Sequence, residues 1–215
     1  MIFKKKYDYI IPIGSNCRVA IALRECSLRK YSMPFDWMLS TMKSVNGLFE
    51  NDFKNFLNYE DCEEKKFKFV SKRTHSYVLN KKFNLNITHE PKINNEVINK
   101  YNRRIKRMYD ILENNKNKIL FIRNSLDGVI FDELHRHYLT TEKNYIDFEK
   151  IHIQKFNSII NEKFNVEYDI LVINHAEKIE FDEKNIFNIT STVKQDCDLW
   201  DHEACKIIIK NLKTN

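Results

Sequence analysis

The sequence predicts an α/β fold: a single domain over residues 1–215, built on a mainly parallel sheet flanked by helices, with a small two-strand excursion near residues 76–89. Three observations carry that expectation. Apolar runs of strand length at residues 9–13, 118–123 and 169–173 alternate with stretches of helical periodicity. Each run stops at polar residues: Gly14 and Ser15, Asn124 and Ser125, Asn174 and His175. Only three glycines and three prolines occur in 215 residues, too few for a many-turned all-β chain.

The elements follow in order. Tyr9, Ile10, Ile11, Pro12 and Ile13 form a short buried strand, with Pro12 suited to a strand end or an edge position. From Cys17 the pattern turns helical, with Val19, Ala22, Leu23 and Cys26 at three- and four-residue spacing. Ser15 or Asn16 is a natural N-cap for that helix. Pro34 excludes the helical region at Met33. A second helix follows Ser40, carrying Met42, Val45, Leu48 and Phe49. Residues 51–75 show no clear period and read as a surface excursion. Two strands are expected at 77–79 and 83–88, the second alternating Phe83, Leu85 and Ile87.

The clearest helix covers residues 94–114. Its apolar stripe is Ile93, Val97, Tyr101, Ile105, Met108 and Leu112; its opposite face, Lys100, Arg103, Arg104 and Arg107, reads as solvated surface. Further helices are expected at 127–138 and 145–164, a short strand at 186–189, and a C-terminal helix beginning near Trp200. In a parallel sheet, ligands sit at the carboxyl ends of the strands. Convergence of the three polar strand ends on one cleft is therefore expected.

Composition limits the function. Lys and Arg number 36 against 30 Asp and Glu, a formal charge of +6, without the basic and aromatic motif of a dedicated nucleic-acid groove. No specific nucleic acid and no membrane are expected as partners, because no apolar run is long enough to span a bilayer. Five cysteines without paired spacing suit free thiols in a reducing cytoplasm. No Gly-rich phosphate loop is present, and no cofactor is expected. Cys197, His202 and Cys205, with Asp198 or Asp201, match no standard zinc spacing, so no metal is expected either. His135 and His137, two apart on a helix, face different directions. His152 lies near the stripe of Tyr145, Phe148, Phe156 and Ile159, where a satisfied core histidine is the default.

Cys17 is the residue with chemistry to offer. A thiol in the first turn of a helix faces unpaired backbone N–H groups and the positive end of the macrodipole, which favour the thiolate. The same N–H groups, with the Asn16 amide, could hold a developing oxyanion. The plain alternative is a small buried apolar residue.

The run Pro12, Ile13, Gly14, Ser15, Asn16, Cys17, Arg18, Val19, Ala20, followed by Leu23, Leu28, Arg29 and then Met33, Pro34, Phe35, Asp36, Trp37, resembles a family signature. The family is one of unknown function named for papain-like cysteine peptidases, marked by a G-S-x-C block and a P-F-D-W block. Later features resemble it too: His89 beside Glu90, a strand ending in Arg123, and Trp200. The resemblance implies Cys17 as nucleophile and His89 as its general base. Glu90 is a poor orienter of that imidazole if residues 83–90 are extended, because adjacent side chains then point to opposite faces. Asp36, held by Pro34, Phe35 and Trp37, is the better candidate, and a plain cap or turn role for it stands equally. On the strand-end reading His175 competes with His89 as base. Papain-like enzymes place the cysteine on a long helix and the histidine on a sheet outside any parallel α/β layer, whereas the residues here read as parallel α/β.

The expected activity is that of a cysteine-dependent hydrolase acting on an amide or ester through a Cys–His pair, its partner a peptide, ester or small-molecule substrate. Cys17, His89, Asp36 and His175 are its candidate catalytic residues; Ser15, Asn16, Asn124, Ser125 and Asn174 are its candidate oxyanion and binding residues. Two other readings stand beside it: a non-catalytic binding protein, and a transferase-like protein holding a sugar or nucleotide at the strand ends.

Overall fold

The computed structural model describes residues 2–68, 74–125, 145–174, 178–191 and 203–214. Its centre is a parallel sheet. After the short β1 (Lys6–Tyr7) comes β2 (Tyr9–Pro12), which lies beside β7 (Lys118–Asn124), then β8 (Glu167–Asn174) and β9 (Ile186–Thr190). Ile11, Phe121 and Ile170 stand in register across the first three strands, as do Ile10, Leu120 and Asp169. β7 and β8 are buried along almost their whole length, as strands covered on both faces must be. Pro12 lies on β2, an edge strand of this sheet, where its missing N–H costs no ladder bond.

Helices cover both faces. One face sends Ile11, Ile13, Phe121, Ile170 and Val172 into a core shared with α2 (Met42–Glu50), α3 (Asn95–Leu112) and α4 (Tyr145–Lys163). The other sends Ile10, Leu120, Ile122, Leu171 and Ile173 against α1 (Arg18–Glu25) and α5 (Glu203–Ile209). The chain is thus α/β in the sense the sequence predicts. Asn94 and Thr41 cap α3 and α2, each accepting a backbone N–H three residues on, from Val97 and Ser44. No helix among the described residues is long and apolar enough to cross a membrane.

The expected two-strand excursion is larger than the sequence suggests. It is a four-stranded antiparallel sheet in the order β3 (Met38–Ser40), β6 (Leu85–Ile87), β5 (Thr74–Asn80) and β4 (Cys62–Lys68). β4 falls in the stretch expected to be an irregular surface excursion. Its Glu63, Glu64, Lys65 and Lys66 show no alternation because it is an edge strand, where charge protects against further pairing. A backbone bridge links the two sheets: Ser40 donates its N–H to the Ser15 carbonyl at 3.2 Å.

The basic face of α3 is a second departure. Arg107 donates to the Ser32 carbonyl at 2.9 Å and stacks over Tyr31, Lys100 pairs with Glu90, and Arg104 lies over Tyr101. Of the four, Arg103 is exposed, and Arg107 braces the segment leading into the P-F-D-W block. Long basic side chains do this readily, since their stems pack while their heads find acceptors. The expected helix at 127–138, with His135 and His137, and the cluster of Cys197, Asp198, Trp200, Asp201 and His202 lie outside the described residues. Cys205 is fully buried on α5.

Phe49 ties these layers together. Its ring contacts Phe35, Phe53, Tyr109 and Phe156, with centroids 5.4–6.4 Å apart. Phe49→Ala therefore removes a fully buried ring from the meeting point of α2, α3, α4 and the P-F-D-W block. Urea denaturation should show a loss of about 3–5 kcal/mol, and a loss below about 1 kcal/mol would contradict this packing.

Candidate functional site

The Cys17 loop is built by the end of β2. Ile13 still pairs with β7, its N–H donating to the Ile122 carbonyl at 2.9 Å. Gly14 and Ser15 then both take positive φ, 78° and 71°. A side chain at Gly14 would collide with Ser40 Oγ and press on Arg123 Nη1, so glycine is required here for space as well as conformation. Ser15 holds the left-handed region without that freedom, a strained backbone of the kind found at functional turns.

Arg123 fixes this turn from below. Its side chain has no exposed surface; Nη1 donates to the Ile13 carbonyl at 3.1 Å, and Nε donates to Glu149 Oε1 of α4 at 2.5 Å. Glu149 is likewise fully buried. Side-chain alternation puts Arg123 and Asn174 on the α4 face of the sheet and Asn124 on the α1 face. Thus the carboxyl ends of β2, β7 and β8 do lie along one edge, with Asn124, Ser125 and Asn174 all buried there. Their side chains do not all face one way. Asn124 shares the face on which α1 packs, and Asn174 shares that of the Arg123–Glu149 pair.

Cys17 occupies the N-cap position of α1, and Asn16 does the capping: its Oδ1 accepts the Arg18 backbone N–H at 3.0 Å. The Asn16 carbonyl-side oxygen is thereby used, leaving only its Nδ2 to serve as an oxyanion donor. Cys17 is 9% exposed yet belongs to neither hydrophobic cluster. Around its loop, the buried hydroxyls of Ser15 and Ser40 have no hydrogen-bond partner among the described residues. The turn that carries Cys17 thus holds buried polar groups as well as apolar ones. The thiolate expectation needs correcting, however. Burial pushes the Cys17 thiol up, and its own backbone N–H and the Arg18 charge oppose that only in part. Burial thus favours the neutral thiol over the thiolate at Cys17.

His89 follows the end of β6, exposed, with its ring edge-on to Trp37 at 5.0 Å between centroids. Thr88 donates to the Trp37 carbonyl, so His89 sits beside the start of β3, while the Cys17 loop is joined to its end at Ser40. The two are separated by roughly 10 Å along β3. No imidazole among the described residues is hydrogen-bonded to Cys17 Sγ, and His175 lies outside those residues. Glu90 is committed to Lys100.

Asp36 is fully buried in the P-F-D-W turn. Its Oδ2 accepts Arg29 Nε at 3.1 Å and the Met33 N–H at 3.0 Å, and pairs with Arg29 Nη2. Burial raises its carboxyl above the usual range, with the Arg29 charge opposing. In contrast to the expected orienter of an imidazole, Asp36 binds the chain before and after Pro34 into one rigid turn. Arg29 also lies over Trp37 at 5.7 Å, so the same pair positions the ring against which His89 rests. The sequence motif contains Arg29 and Asp36 but does not indicate that they meet.

Among the described residues no three His, Cys, Asp or Glu side chains are grouped to hold a metal ion. The four described cysteines are free thiols.

Removing one partner of the buried pair leaves the other charge without compensation. Arg123→Met should cost about 3–5 kcal/mol in urea denaturation. The double variant Arg123→Met with Glu149→Met should recover most of that loss while leaving the Ile13 carbonyl without its donor. A single variant as stable as the parent would contradict the role given to this pair.

Comparison with known proteins bears on the same segment. The chain is 28% identical over 134 residues to "Uncharacterized protein R408" of Acanthamoeba polyphaga mimivirus, a match covering 53% of this chain and 60% of that protein. No solved structure matches the chain significantly. Residues 8–178, from the start of β2 past the end of β8, match the family described as "Putative papain-like cysteine peptidase (DUF1796)". That span holds the glycine turn, Cys17, the P-F-D-W block and Arg123; the chain belongs to this family.

Proposed function

We propose that the chain is a cysteine-dependent hydrolase that transfers an acyl group from an ester or amide to Cys17 and then to water. The observation that carries this reading is the placement of Cys17. It stands on a glycine-dependent, strained strand-to-helix turn at the carboxyl edge of a parallel sheet, a turn with buried hydroxyls at Ser15 and at the bridged Ser40, and it belongs to neither apolar cluster. The family's description supports the same residue type and chemistry.

A neutral thiol dictates the order of events. As Sγ bonds to the substrate carbonyl carbon, its proton must pass to an imidazole nitrogen, because a preformed thiolate is disfavoured by burial. The carbonyl oxygen takes up negative charge near the first turn of α1, where backbone N–H groups lack helical partners, and near Asn16 Nδ2. Collapse breaks the bond to the leaving group, which takes the proton from the imidazolium. Water then adds to the thioester with the same imidazole as base, releasing the acid and restoring the thiol. His89, set against Trp37, and His175, which follows Asn174 in sequence, are the two candidates for that base.

The test uses p-nitrophenyl acetate and mass spectrometry of the digested protein. Cys17 should carry the acetyl group during turnover, and Cys17→Ala should abolish release of nitrophenol. The rate should rise with pH through about 6.5, as an imidazole base becomes neutral. Of His89→Gln and His175→Gln, the one that removes the base should slow acylation by about 10²–10⁴-fold. Acetylation spread equally over all cysteines, or none on Cys17, would contradict the reading.

A further inference from the structure

A cavity of about 450 Å³ lined by none of the Cys17 loop residues is one that the hydrolase reading does not use. Its walls are α2, the turn between β5 and β6, and α4. Three lysines, Lys43, Lys82 and Lys155, line it against a single carboxylate, Glu50. Glu50 pairs with Lys155 at 2.7 Å, so the positive charge of Lys43 and Lys82 stays uncompensated by any ion pair among the described residues. Lys82 lies over the Phe83 ring, 5.5 Å from its centroid, and both side chains line the wall.

The remaining wall is polar and fixed. Asn46 is 1% exposed; its Nδ2 donates to the His152 carbonyl at 2.9 Å and lies 3.4 Å from His152 Nδ1. That bond fixes which way the amide points, and its Oδ1 has no donor among the described residues. Burial holds His152 toward its neutral form, so its ring contributes hydrogen bonding more than charge. The cavity also opens beside the first turn of α2, where Thr41 caps Ser44 and the preceding N–H groups lack helical partners. Two unpaired lysines and a helix start match a dianion; the volume leaves space beyond it for a small polar body against Phe83, Asn46 and His152.

We infer that this cavity binds a phosphate monoester of a small polyhydroxy molecule. Lys43, Lys82 and the start of α2 hold the phosphate, and the hydroxyl-bearing part faces Asn46 and His152. Ser40, next in the chain to Thr41, is the residue bridged to the Cys17 loop, so an occupied cavity adjoins the acyl-transfer site without sharing its residues. The inference stands independently of what Cys17 does.

Glycerol 3-phosphate is the probe, titrated into the full chain and followed by ¹H–¹⁵N resonances and calorimetry at constant ionic strength. Amides of residues 41–47 and 82–84 should shift, with glycerol causing no shift and inorganic phosphate binding more weakly at the same residues. Lys43→Gln with Lys82→Gln, both exposed positions, should weaken binding by about tenfold or more. Lys92→Gln with Lys184→Gln makes the same charge change elsewhere on exposed surface and should change it less than about twofold. No binding of glycerol 3-phosphate, shifts confined to other residues, or equal losses in the two double variants would overturn the proposal.

Discussion

A buried charge under the first turn governs this structure. Arg123 is fully buried, and its guanidinium pairs with Glu149 while a further N–H is spent on the Ile13 carbonyl. One group thus joins the centre of the sheet, α4, and the end of β2. A pair of apolar residues could fill the same space at less desolvation cost, yet would leave the Ile13 carbonyl without a partner where the chain turns. The pair therefore specifies position more than it adds stability. It sets where Gly14 turns, Gly14 leaves room only for Ser40 Oγ and Arg123, and Cys17 follows three residues later.

The same geometry decides the state of the thiol. A helix start favours an anion by about 0.3–1 kcal/mol near a surface, and the loss of water around a buried thiolate acts in the opposite sense. At Cys17 burial prevails. On the proposed mechanism the chemistry is closer to that of a hydroxyl nucleophile with a partner base than to that of a standing ion pair. This also suits a parallel sheet with a strand-to-helix turn, which is the architecture found here, and differs from a cysteine carried along a long helix.

Much of this was legible in the chain. Continuous apolar runs gave β7 and β8, because strands covered on both faces need no alternation. Asn94 marked the start of α3, and Gly14 with Ser15 marked the turn before Cys17. Other features depend on partners distant in sequence. β4 carries Glu63 to Lys66 and is a strand only because β5 pairs with it. Asp36 has no local sign that Arg29 will claim its carboxylate, and the basic stripe on α3 gives no hint that Arg107 reaches Ser32. Burial of Cys17 is likewise a tertiary property, and its upward push on the thiol is not visible in the helix start alone.

The most direct measurement is the alkylation rate of Cys17 by iodoacetamide as a function of pH, read by mass spectrometry on the folded protein. A neutral buried thiol predicts slow reaction at pH 7 and a rate still rising above about pH 8.5, the ordinary thiol value. A rate already at its plateau below about pH 7 would show a standing thiolate and contradict the account.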